Sequence, residues 1–91
     1  MILVLATNDI EKLRKFCSES LPKGINLDNN SNIEICKIQT KNALEFYEAK
    51  CNENNVNFCY LVSFIYTDSG NIFKRIDSSF DNKEKALNIE I

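Results

Sequence analysis

The 91-residue sequence has no histidine and no tryptophan, one proline (Pro22), one methionine (Met1) and two glycines (Gly24, Gly70). Without histidine, the usual nucleophile–base pairs of hydrolases and the mixed thiolate–imidazole zinc sites are excluded. Two isolated glycines cannot form a loop that cradles phosphate through its backbone, which argues against nucleotide hydrolysis and dinucleotide binding. Long apolar runs are also missing. The stretch Met1 to Ala6 is too short for a signal-peptide core and lacks a basic flank, and no segment approaches the ~18 residues of a membrane span. The expectation is a domain with no membrane association that stays in the cytoplasm. Nor is there a strong excess of either charge: 11 basic and 13 acidic residues leave −2, which offers no long-range attraction to polyanions.

An apolar fraction of 44% and a charged fraction of 26% are those of a globular chain, and the length suits one domain over residues 1–91 with one hydrophobic core. The four cysteines, Cys17, Cys36, Cys51 and Cys59, form no C-x-x-C pair, and each falls in or beside an apolar stripe. They are therefore expected to pack as small reduced hydrophobes, with neither metal nor cofactor bound.

Apolar spacing predicts the element order. Ile2 to Ala6 is short and continuously apolar, as a doubly covered strand requires. Asn8 and Glu11 form a capping-box signature for a helix over about Asp9 to Ser20, whose Ile10, Leu13, Phe16, Cys17 and Leu21 recur at helical intervals. Pro22 to Ser31 reads as an exposed loop, followed by a β-type run through Ile33, Ile35, Cys36 and Ile38. Ala43, Leu44, Tyr47 and Cys51 then suggest a second helix capped by Asn42 and Glu45.

Phe58 to Tyr66 is the most apolar stretch and reads as a central strand. It turns through Thr67-Asp68-Ser69-Gly70 into an antiparallel return, Asn71 to Asp77. Asp81 with Glu84 suits the start of a short helix carrying Ala86 and Leu87, and Asn88 to Ile91 fits either an extension of it or an edge strand. The predicted fold is thus α/β: a mixed four-stranded sheet in the order β-α-β-α-β-β(-α), with the first two strands parallel and helices packed on the sheet.

In this order, and over Leu61 to Ile76 with its Asp68-Ser69-Gly70 turn and Phe73-Lys74-Arg75-Ile76 return, the chain resembles the thioredoxin and glutaredoxin fold. The resemblance implies a redox cysteine pair between the first strand and first helix and a proline before the hairpin. The corresponding positions read Thr7-Asn8-Asp9-Ile10 and Val56-Asn57-Phe58-Cys59, with neither, so disulfide exchange is not expected.

The carboxylates Glu45, Glu48, Glu84 and Glu90 are interleaved with lysines, the pattern of a solvated surface. Lys12, Arg14 and Lys15, and the Lys74-Arg75 pair, are read the same way. Tyr60, Phe64, Tyr66 and Phe73 alternate along the hairpin, as a core demands, although such a row is also how stacking platforms for single-stranded nucleic acid are made. By exclusion the leading reading is a non-enzymatic interaction module whose partner is another protein or a larger assembly: an inhibitor, immunity factor or accessory subunit. Recognition is expected at the hairpin, through Tyr66, Asp68, Asn71, Phe73 and Lys74, and at the loop carrying Lys23 and Asn29. The alternatives are a thioredoxin-like oxidoreductase working through a single cysteine, and a nucleic-acid binder using the hairpin aromatics.

Overall fold

The computed structural model describes residues 1–19, 35–50 and 58–91, with backbone alone at 17–19, 35 and 50. The central strand β1 (Ile2–Thr7) is followed by helix α1 (Ile10–Glu19), then β2 (Ile35–Lys41), β3 (Leu44–Lys50), β4 (Cys59–Tyr66), β5 (Ile72–Phe80) and a short helix α2 (Lys83–Leu87). The strands form one sheet in the order β2-β3-β1-β4-β5. β1 is parallel to β4 and antiparallel to β3, and the other two pairings are antiparallel hairpins. The radius of gyration, 12.3 Å, matches the ~12 Å expected of a single domain of this length.

Two expectations are corrected. The segment read as a second helix is β3, so the sheet has five strands. Asn42, read as that helix's cap, lies in the two-residue turn between β2 and β3 with φ +56°, a conformation asparagine tolerates better than most residues. Ala, Leu, Glu and Lys in this segment favour a helix locally, but β1 offers β3 a full ladder from Ile2–Lys50 to Thr7–Glu45. Tertiary pairing overrides that local preference. Because β3 takes the place beside β1, the first two strands run parallel but are not neighbours. β2 instead becomes an edge.

Both sheet faces are covered, which is why β1 is continuously apolar. On one face α1 lays Leu13 onto Leu3, Leu5, Tyr47, Ala49, Val62 and Phe64, with Ile10 and Phe16 at the margin. The helix begins one residue later than the capping box suggests. Asp9 is the cap, its Oδ1 accepting from the Lys12 amide at 3.3 Å, while its own amide donates to Thr7 Oγ1 at 3.0 Å. On the other face Val4, Ala6, Phe46, Cys59 and Leu61 pack under Ala86 of α2. Asn82, not Asp81, caps α2 by accepting from the Lys85 amide at 3.0 Å. The C-terminal tail is neither helix nor strand. Gln39 and Lys41 donate to the carbonyls of Leu87 and Ile89, at 3.2 and 3.1 Å, and Ile89 and Ile91 join the apolar layer.

Candidate functional site

Among the described residues the large apolar side chains exposed to solvent, Ile72 and Phe73, lie on the β4–β5 hairpin. Its turn is closed by the Gly70 amide donating to the Thr67 carbonyl and the Thr67 amide donating to the Asn71 carbonyl, both at 2.8 Å. The Asn71 amide also donates to Thr67 Oγ1 at 3.2 Å. Gly70 has φ +90°, a backbone conformation that favours glycine, and the end of the Lys12 side chain lies against it.

That approach arises because Asn8 ties the start of α1 to the hairpin. Its Oδ1 accepts from the Tyr66 amide at 2.9 Å and its Nδ2 donates to the Tyr66 carbonyl at 2.8 Å, so a side chain 58 positions away extends the ladder by one rung. α1 therefore runs beside the hairpin. Phe16 lies 4.2 Å from Phe64 between ring centroids, and the Arg75 guanidinium sits over both rings at 5.4 and 5.0 Å. Asp77 holds that guanidinium through Nε at 2.7 Å. Lys12 Nζ lies 5.7 Å from the centre of the Tyr66 ring.

Between α1 and the turn is an open cleft of about 430 Å³, lined by Lys12, Lys15, Phe16, Tyr66, Gly70, Asn71 and Ile72. Among these lining residues the two charged ones are both lysines. Beside the cleft the first residues of β5 are apolar and solvated: Ile72 is 47% exposed and Phe73 74%. Phe73 sits where the β4–β5 register shifts, Tyr66 pairing with Ile72 and Ile65 with Lys74. Such a bulge turns a side chain away from the ladder.

Of the residues the sequence nominated, Tyr66 and Asn71 line the cleft, Phe73 and Lys74 are exposed beside it, and Asp68 is exposed in the turn. Lys23 and Asn29 lie outside the described residues. Ile72 falls within the nominated hairpin stretch Tyr66 to Lys74, whereas Lys12, Lys15 and Phe16 were not nominated. The lysines were legible only as a solvated helix face, and nothing in local spacing places that face against residues 66–72.

The cysteines divide. Cys59 is buried, and burial pushes its thiol up to about 11. Cys36 corrects the expectation of core packing: it is exposed, because β2 is an edge strand with Glu48 opposite it. Cys17 and Cys51 lie outside the described side chains. Among the described residues no three potential metal ligands cluster, and no helix is long and apolar enough to cross a membrane. Phe64 is buried, and Tyr60 and Tyr66 are half-buried against the α1 layer, which leaves Phe73 alone of the four hairpin aromatics to solvent. Known family models, curated proteins and solved structures contain no match to this chain.

Proposed function

We propose that the chain is a non-enzymatic protein-interaction module, an inhibitor, immunity factor or accessory subunit, and that it grips its partner at the tip of the β4–β5 hairpin. The observation that carries this reading is the solvated pair Ile72 and Phe73 beside a cleft whose charged lining is Lys12 and Lys15. An exposed phenylalanine next to an exposed isoleucine exposes apolar surface that gains free energy only when covered, and aromatic anchors of this kind dominate interface energetics. The adjoining lysines favour a partner segment that carries an apolar residue flanked by Asp or Glu. A buried Cys59 whose thiol stays neutral at ordinary pH gives no support to a single-cysteine oxidoreductase.

The test is affinity capture from the native host with tagged wild-type chain, Phe73→Asp and Lys12→Glu in parallel, each first shown to unfold at the wild-type temperature. A partner retained by the wild type and lost from both variants supports the reading. A captured set that is identical for all three removes the hairpin tip as the binding surface.

A further inference from the structure

We infer that the free edge of β5 pairs with β5 of a second copy of this chain, joining two sheets about a two-fold axis at Ile76. Among the described residues β5 ends the sheet, and no described strand pairs with the backbone groups on its outer side. It is also long for an edge strand, nine residues, and its side chains are exposed or half-exposed throughout. The question is whether the edge is protected or self-complementary, and the register answers it.

Arg75, Asp77 and Ser79 stand on the α1 face of the sheet, opposite Phe64, Val62 and Tyr60 of β4. Lys74, Ile76, Ser78 and Phe80 stand on the α2 face, opposite Ile65, Ser63, Leu61 and Cys59. Antiparallel pairing of two identical edges keeps each face on its own side, so the two-fold axis must pass through a residue. Centred on Ile76, the pairing spans residues 74–78, within the regular part of the strand that follows the bulge at Phe73. Arg75 then faces Asp77 of the second copy, Asp77 faces its Arg75, Lys74 faces Ser78, and Ile76 faces Ile76. Both charged pairs are favourable cross-strand pairs.

The neighbouring registers are not equivalent. Centring on Lys74, Arg75 or Asp77 sets a residue against its own charge, and centring on Ser78 puts Asp77 opposite Ser79 and leaves Arg75 beyond the overlap, so both charged pairs are lost. Within one chain Arg75 already binds Asp77 at 2.7 Å, so the charges that would otherwise repel a second edge are neutralised before it arrives. The opposite edge lacks this property. The charged side chains of β2, Lys37 and Lys41, have one sign.

This inference does not depend on the reading of the hairpin cleft, since Lys12 and Tyr66 lie between α1 and the turn and not along the edge. Sedimentation equilibrium of the full chain over a micromolar-to-millimolar series tests it. The wild type is expected to rise from 10.5 kDa toward twice that mass. Arg75→Asp and Asp77→Arg, each folded by far-UV circular dichroism, should each stay at 10.5 kDa. An equimolar mixture should recover the doubled mass, because the carboxylate introduced at 75 on one chain faces the guanidinium introduced at 77 on the other.

A second measurement does not rely on charge. Ile76→Cys sits on the axis and should give, on oxidation, a chain-to-chain disulfide that peptide mapping locates at 76. A wild type that stays at the single-chain mass throughout would overturn the inference. So would variants that associate as the wild type does, a mixture that does not recover, or an absent 76–76 crosslink.

Discussion

Replacing Phe46 by alanine separates the strand seen at residues 44–50 from the helix that its sequence suggests. In the helical reading the apolar stripe runs through Leu44, Tyr47 and Cys51, and at ~100° per residue Phe46 falls on the opposite, solvated side. Its truncation would then matter little. In the structure Phe46 is fully buried on β3, paired with Ala6 of β1, in the layer formed with Val4, Cys59, Leu61 and Ala86.

Truncating a buried phenylalanine to alanine costs about 3–5 kcal/mol, from lost transfer free energy and the cavity left behind. A chain of this length has only about 5–14 kcal/mol in total, so Phe46→Ala should lose about a fifth of it or more. At roughly 4–8 °C per kcal/mol the melting temperature should fall by at least ~12 °C. The same substitution at Phe73, which is 74% exposed, should change stability by no more than about 0.5 kcal/mol. Urea titration followed by far-UV circular dichroism, with the two variants and the wild type fitted to a common slope, reads both numbers. A Phe46→Ala cost under about 1 kcal/mol, or equal costs at the two sites, would refute the placement of β3 and with it the five-stranded sheet.

Ser63 is fully buried on β4 and its hydroxyl has no hydrogen-bond partner, so Ser63→Ala should raise stability by about 1–2 kcal/mol; a loss of that size in the same titration would count against the placement of Ser63. The fold should also weaken in alkali. Burial pushes Tyr47 up to about 12, helped by the hydrogen bond that its hydroxyl donates to Glu45, and pushes Cys59 up to about 11. Both groups are held protonated when folded and release protons more readily when unfolded. Their contribution is complete below the ordinary values of 9.0 and 10.0 and is lost as pH climbs through 11 and 12. Tyr47→Phe should flatten the upper part of that decline, and an unchanged slope between pH 10 and 12 would contradict the assignment.

The sequence by itself determined those elements whose neighbours in space are also neighbours along the chain, or whose composition leaves one outcome. Ile2 to Ala6 is apolar without interruption and became the body of the doubly covered β1, flanked by β3 and β4. Ile10, Leu13 and Phe16 recur at helical spacing and became the buried side of α1. Phe58 to Tyr66, the turn with Gly70 and the strand after it were legible because a hairpin is a local structure with turn chemistry of its own. Asn71 and Phe73 were legible as exposed residues of that hairpin for the same reason.

Tertiary structure alone decided the rest. Residues 44–50 carry helix formers, yet they are a strand, because pairing with β1 and burial of Phe46 outweigh a propensity of tenths of a kcal/mol per residue. The cleft was equally invisible: Lys12 and Phe16 meet Tyr66, Gly70 and Ile72 only because Asn8 binds the end of β4 across 58 positions, a long-range contact that no local periodicity encodes. The fate of the two edges also depends on strand order. β2 and β5 became the outer strands once β3, β1 and β4 had taken the middle, and only then do Arg75 and Asp77 become a pair that a second chain could meet.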